Sequence, residues 1–256
     1  MNVVVCVKQV PDPNSPGRLD PSTHTLRRDG EVVLDPGDEF GVEAGLQLVE
    51  KHGGSVTVVS MGPERAIDAV RKALAMGAAR GILVTDEALA GSDALTTAKV
   101  LAAAIRTQEF DLVITATEST DGYTGVVPQM LGGLLDVPAV TFATSVSYDG
   151  EILRVDRQTE SGIEVVEATL PVVVSVTAGV NEPRYPSLKG IMGARQKPLD
   201  RPSLADLGVA SAGGASAGQA ITAVSAAPER AAGEIVRDEG DAAARIVEFL
   251  ASRKVI

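Results

Sequence analysis

Four short apolar runs divide the first 116 residues at nearly even intervals: Asn2 to Val7, Val56 to Ser60, Gly81 to Thr85 and Leu112 to Ala116. Each is continuous rather than alternating, which is the pattern of a parallel strand buried on both faces. Between them the apolar positions recur at helical spacing. Asp35-Pro36-Gly37-Asp38 opens the first helix with a capping carboxylate, a proline suited to the first turn and a second acid near the positive dipole end. Its apolar positions are Val42, Gly45, Leu46 and Val49, and Gly53-Gly54 stops it. Pro63 opens a second helix with Ala66, Val70, Ala73 and Leu74 on one face, ended by Gly77. Ser92-Asp93 caps a third, with Leu95, Ala98, Leu101, Ala102 and Ile105 facing inward. A fourth follows the polar loop after Ala116. This alternation over residues 1 to 137 predicts an α/β fold, doubly wound, with a mainly parallel sheet covered on both faces.

The rhythm changes elsewhere. Pro11 to Gly17 is too rich in prolines and turn formers for regular structure, while Thr25 to Arg28 and Val32 to Leu34, joined across Asp29-Gly30, read as a small hairpin. Ala139 to Tyr148 and Ile152 to Asp156 flank Asp149-Gly150, and Ile163 to Leu170 with Val172 to Val176 adds more strand, so an antiparallel extension of the sheet is expected. Residues 1–209 then form the main domain. Ala210 to Ala220 is a Gly/Ala/Ser run that reads as a flexible linker. Residues 221–256 make a C-terminal arm, in which Asp241 to Lys254 carries Ala243, Ile246, Val247 and Leu250 at helical spacing.

Composition narrows the function. The chain has 256 residues, 45% of them hydrophobic, enough for one substantial core. A net charge of −11 argues against non-specific nucleic-acid binding, which needs a basic surface. A single cysteine, Cys6, excludes an internal disulfide and a Cys-based metal or iron–sulfur cage, and no metal site is expected. No run approaches the ~18 apolar residues of a membrane span and no signal-type segment opens the chain, so a cytoplasmic protein is expected. Only 3% of residues are aromatic and none is Trp, so a ring-bearing cofactor would be held by backbone and aliphatic groups or shared with a partner. His24 and His52 read as surface residues.

No HExxH, GxSxG, CxxC or GxxxxGK[ST] is present, and Val7-Lys8-Gln9-Val10 stands where a GxGxxG would follow the first strand. What remains is a set of loops at strand ends: Cys6 to Lys8, Asp35 to Asp38, Ser60 to Gly62, and Ala116 to Val127. In a parallel sheet these converge on one crevice beyond the carboxyl ends of the strands, where ligands bind. Backbone N–H groups at Gly122 to Gly125, with the Thr120 and Thr124 hydroxyls and the dipole of a helix starting near Thr124, suit a phosphate. Asp121 would repel one, which leaves it ribose hydroxyls or local loop capping. The same residues equally suit an ordinary connection in which Asp121-Gly122 is a turn and Thr124 a helix cap. Between Arg184 and Arg201 lie five basic residues against one acid, Asp200, a local basic patch in an acidic chain.

Several of these stretches together resemble the β subunit of the electron transfer flavoproteins, of the actinobacterial kind. They are Val5-Cys6-Val7-Lys8-Gln9-Val10 with Asp12, Gly62-Pro63-Glu64 leading to Ala73 through Ala78, the Asp121 to Gly125 loop, Leu170-Pro171, and above all Asn181 to Met192. The resemblance runs nearly end to end. It implies the adenine-nucleotide-binding superfamily with a flavodoxin-like layout, and a heterodimer in which the electron transfer flavoprotein α subunit holds most of a redox-active FAD. It also implies AMP in this subunit, against Cys6, Asp35, Pro36, Gly37, Asp38, Met61, Ala116, Thr117, Glu118, Ser119, Thr120, Asp121, Gly122, Tyr123, Thr124, Gly125, Val126 and Val127. The segment 181–197 matches the family's recognition loop for electron-donating flavin dehydrogenases such as the acyl-CoA dehydrogenases. Leu188 then stands at the apolar anchor, with Tyr185, Lys189, Ile191, Met192, Arg195 and Lys197 as further docking residues. Gln158 occurs where some members carry a functional glutamate, and Pro13 where some carry a tyrosine near the flavin, so neither role is carried over. Asp-Gly-Tyr-Thr-Gly-Val-Val-Pro-Gln at 121–129 also departs from the pattern of flavin-bifurcating members, which hold a second FAD there, and this favours AMP.

Two readings follow. The first is an electron-carrier subunit that catalyses no substrate reaction of its own, consistent with the missing acid–base machinery. The second is a stand-alone adenine-nucleotide-binding regulatory module.

Overall fold

The computed structural model describes residues 1–225 and 240–256, together with 233, 235, 237 and 238. It divides into two compact units, Met1–Thr222 and Ala223–Ile256. The first is built on a nine-stranded sheet. Its strands in chain order are β1 (Asn2–Cys6), β4 (Ser55–Met61), β5 (Arg80–Val84), β6 (Leu112–Ala116), β7 (Ala139–Tyr148), β8 (Ile152–Thr159), β9 (Gly162–Thr169), β10 (Val172–Val176) and β11 (Leu199–Asp200), while β2 (Gln9–Pro11) and β3 (Val32–Leu34) form a separate ribbon. The order across the sheet is β11-β5-β4-β1-β6-β10-β7-β8-β9, parallel from β11 through β7 and antiparallel beyond.

The side-chain alternation of β1 divides the core. Val3 and Val5 face one cluster with α1 (Pro36–His52) and α2 (Ile67–Met76), and Val4 and Cys6 face the other with α3 (Ala94–Ile105) and α4 (Val127–Leu135). Two helices on each face is what continuous apolar strands require. The helix starts follow from local chemistry: Asp35 Oδ1 accepts from Gly37 N at 2.9 Å, and Asp93 Oδ1 accepts from Thr96 N at 2.8 Å.

Four expectations need correction. Val172 to Val176 is not an antiparallel piece; β10 lies parallel between β6 and β7, fully buried, as its uninterrupted apolar run demands. Val32 to Leu34 does not pair across Asp29-Gly30, because burying Val10 and Leu34 sets β3 against β2, and a lone Leu19–Leu26 bridge braces the intervening loop. Leu95 is 42% exposed in the first turn of α3, while Val100 and Ala104 are buried instead, because α3 is covered by α4 as well as by the sheet. Helix α4 begins at Val127 rather than near Thr124, since Tyr123 (φ 48°) and Gly125 (φ 62°) adopt left-handed conformations that no helix continues.

The Gly/Ala/Ser run has defined seats on the loop that leads into α3: Gly213 N donates to Ser92 Oγ at 3.0 Å, Gly214 N to Ala90 O at 2.9 Å, and Gly218 N to Asp93 Oδ2, the N-cap of α3, at 2.8 Å. In the second unit the described residues include α6 (Ala242–Ser252), whose Ile246, Val247 and Phe249 are exposed. Parts of the C-terminal arm, residues 226–232, 234, 236 and 239, lie outside the described residues. Among the described residues no helix is long and apolar enough to cross a membrane.

Candidate functional site

The carboxyl ends of β1, β4 and β6 bring together the four loops singled out from sequence. Asp35, fully buried at the N-cap of α1, ties two of them: its second carboxylate oxygen accepts from Thr120 N at 2.8 Å and Thr120 Oγ1 at 3.1 Å. Asp38, one turn on and also buried, accepts from Lys8 N at 2.7 Å. The N-terminus of α1 therefore bolts the end of β1 to the loop after β6. Gly37 eases this approach, because a Cβ there would stand in tight contact, 3.2 Å from Ala116 Cβ and 3.3 Å from Asp35 Oδ1.

Electrostatics set the state of each acid. Burial, and then the neighbouring Asp35 charge, pushes the Asp38 carboxyl well above the ordinary carboxylate range. Cys6 beside it is pushed up to about 12 by burial and by Asp38, so its thiol stays protonated and poorly nucleophilic. Burial alone would raise Asp121 too, but Lys8, Arg28 and the Ser119 hydroxyl outweigh it and hold that carboxyl below its usual value. Lys8 Nζ lies 2.7 Å from Asp121 Oδ1 and 3.2 Å from Ser119 Oγ, and Arg28 pairs with the other carboxylate oxygen. The Asp121 side chain is only 2% exposed. Of its two expected uses, this geometry is the local one: it fastens the loop.

Arg28 lies outside the expected site, and Lys8 enters it only as the end of the Cys6 to Lys8 loop, with no role assigned to its side chain. A buried acid at 121 calls for a cation, but nothing in the local pattern says which of the chain's Lys and Arg residues supplies it.

The rest of loop 116–127 is open. Glu118, Gly122, Tyr123, Thr124 and Val126 are exposed, and a Cβ on Gly122 would meet only Ser119 Oγ, at 3.4 Å. Thr117 Oγ1 donates to Val176 O at 3.1 Å, which joins the loop to β10. Pro36 is exposed, whereas Met61 and Val127 are half-buried and Ala116 is buried. At the ends of β4 and β6 two buried hydroxyls, Ser60 Oγ and Thr115 Oγ1, have no hydrogen-bond partner. Of the donors expected for a phosphate, Gly122 N and Tyr123 N are taken by Ser119 O, at 3.3 and 3.0 Å, and the Thr120 hydroxyl by Asp35, because the loop closes its own turn; the N–H groups of Thr124 and Gly125 and the Thr124 hydroxyl remain. Small exposed residues and orphaned hydroxyls at the strand ends fit a nucleotide better than a bare metal, and no group of three His, Cys, Asp or Glu side chains is clustered among the described residues.

The second expected surface lies elsewhere. Ser187 caps α5 (Leu188–Ala194), its Oγ accepting from Gly190 N at 3.0 Å. Tyr185 is 96% exposed, Leu188 81% and Met192 77%, with Ile191 also exposed. Its basic residues divide in two. Lys189 and Arg195 are exposed, but Arg184 is paired with Glu43 and Glu50, Arg201 with Glu64, and Lys197 with backbone carbonyls. The patch is less basic than its composition.

Fold and strand-end loops define the class: a doubly wound α/β protein, mainly parallel, with a polar loop at the carboxyl ends of its central strands and a separate exposed apolar ridge. Residues 23–207 match the electron transfer flavoprotein domain. Over its full length the chain is 43% identical to the electron transfer flavoprotein subunit beta of Mycobacterium bovis, covering 99% of that protein, and 42% identical to that of Mycobacterium leprae. It is also 38% identical to the Bacillus subtilis subunit beta over 81% of this chain and 80% of that protein. The chain belongs to the electron transfer flavoprotein family, as a β subunit of the actinobacterial type.

Proposed function

We propose that this chain is one half of a heterodimeric electron carrier, with FAD held mainly by an α subunit at the interface and AMP seated in the crevice described above. The observation that carries the AMP reading is the bolted but exposed loop 116–127, fastened by Asp35, Lys8 and Arg28 and presenting Gly122, Tyr123 and Thr124 on its outer side. The nucleotide would be held by the Thr124 and Gly125 N–H groups and the Thr124 hydroxyl rather than by cations, since Lys8 and Arg28 are already committed to Asp121. Ser60 Oγ and Thr115 Oγ1, on opposite faces of the sheet, are buried near the strand ends without a partner among the described residues. FAD supplies the one- and two-electron chemistry when bound. This chain's residues shape the site and keep the Cys6 thiol protonated and poorly reactive beside it. Scarcity of aromatics agrees with a flavin ring held by the partner.

Flavin dehydrogenases such as acyl-CoA dehydrogenases would dock on the exposed ridge of Tyr185, Leu188, Ile191 and Met192, steered by Lys189 and Arg195. The chain catalyses no substrate reaction in this scheme. Co-expression with its α partner is expected to give a yellow 1:1 complex whose denatured supernatant contains one FAD and one AMP by mass spectrometry. A colourless monomer would overturn the carrier reading, and a complex releasing two FAD and no AMP would overturn the assignment of the crevice.

A further inference from the structure

Helix α5 has seven residues, too few to persist alone in water, yet it carries the exposed ridge. Its rigidity must come from what it is fastened to. On one side, the Arg184 guanidinium forks onto two acids of α1: Nε lies 2.7 Å from Glu43 Oε2, one terminal nitrogen 2.5 Å from Glu50 Oε1, and the other 3.1 Å from Glu43 Oε1 and 3.0 Å from Glu50 Oε2. Arg184 N also donates to Glu43 Oε2 at 3.2 Å. Glu43 is 4% exposed, and although burial raises its carboxyl, the Arg184 hydrogen bonds prevail and hold it below the ordinary value. On the other side, Lys197 Nζ donates to Leu74 O and Ala78 O, both at 2.7 Å, capping the carboxyl end of α2. Between the two, Gly190 sits so close to α2 that a Cβ would fall 2.4 Å from Ala75 O.

We infer that Arg184 and Lys197 are positioning residues which mount the ridge on α1 and α2, and that neither presents charge to an incoming protein. Two carboxylates face the single Arg184 cation, so this cluster offers a partner no positive field; Lys197 is turned into the chain's own carbonyls. Steering is left to Lys189 and Arg195, and the mounts act by holding Leu188 and Met192 in place before contact, which lowers the ordering cost of docking. The inference rests on the docking reading of the ridge.

The test is steady-state reduction of the holo-heterodimer by a donor flavin dehydrogenase, for R184Q, R184K, K197M and L188A, across a range of ionic strengths. R184Q is expected to raise the KM for the carrier about tenfold, with kcat, flavin content and subunit stoichiometry unchanged and with the same slope of log KM against ionic strength as wild type. R184K, which keeps the charge but not the planar fork, should recover part of the loss. K197M should act in the same direction, and together with R184K it carries the test should R184Q fail to assemble. A KM raised by L188A but not by R184Q, R184K or K197M overturns the inference, as does a reduced ionic-strength slope in R184Q, which would make Arg184 a direct contact. A KM unchanged by L188A would instead overturn the docking reading itself.

Discussion

At the residue scale the informative group is Asp38, a buried carboxylate set next to a second one, Asp35. Its raised pKa has a definite thermodynamic sign. An unfolded Asp titrates near ~3.9, so between that pH and the higher folded value the native state binds more protons than the unfolded one, and stability falls as pH rises through the folded pKa. Asp38→Asn keeps an oxygen to accept from Lys8 N and removes the charge. The variant is expected to be more stable than wild type in urea melts at pH 8, with the difference shrinking toward pH 4. A variant less stable at pH 8 would mean that the charge is compensated in the folded chain. Asp121 has the opposite sign: its depressed carboxyl stabilises the loop at neutral pH and that contribution is lost as pH falls through its folded pKa. How legible these roles are depends on range. Asp35 reads as a helix cap from its own neighbours, whereas the fastening role of Asp121 depends on Lys8, 113 positions away.

At the scale of elements, α1 shows how close packing replaces bulk. Gly41 and Gly45 lie on its inner face, and a Cβ on Gly45 would stand 3.2 Å from both Val3 Cγ1 and Val5 Cγ2. The β-branched strand fills the space that a larger helix residue would need, and this lets the N-terminus of α1 reach loop 116–127. Gly45→Val is expected to destabilise the chain by about 1–3 kcal/mol through overpacking. Gly45→Ala should fall well short of that, because a gain in helix propensity of up to ~1 kcal/mol offsets a tight contact. Equilibrium urea unfolding measures both, and equal stability of Gly45→Val and wild type would show that the interface yields. The periodicities identify α1 to α4, α6 and the longer strands, since these are local properties, but not the seven-residue α5, which the sequence offers only as a loop, nor the short β2 and β11. They fail for β3 and β10, whose neighbours are chosen by long-range burial. Val172 to Val176 carries the continuous apolar signature of a central strand, but no local pattern says that the chain makes an antiparallel excursion through β8 and β9 before returning to the middle of the sheet.

At the scale of the whole molecule, the first unit completes its own core by Thr222. Leu204 and Ala212 close the α3–α4 side, and the hydrogen bonds of Gly213, Gly214 and Gly218 seat the following turn on the start of α3. The Gly/Ala/Ser composition that suggested a tether also serves this seat, since a Cβ on Gly213 would lie 2.2 Å from Ala88 O. Helix α6 differs. Ile246, Val247 and Phe249 are each more than half exposed, a face that burial in an α subunit would stabilise. Full burial of such side chains is worth about 1.5–3 kcal/mol each, and ordering the arm offsets part of that. A chain ending at Thr222 is therefore expected to fold, to retain the nucleotide proposed for the crevice, and to bind the α subunit roughly a hundredfold more weakly, the equivalent of about 3 kcal/mol. Sedimentation equilibrium of the mixed subunits, with nucleotide content read in parallel, separates the two effects. Unchanged association would make the arm dispensable, whereas loss of nucleotide together with association would place the arm's role in the crevice rather than in the partner.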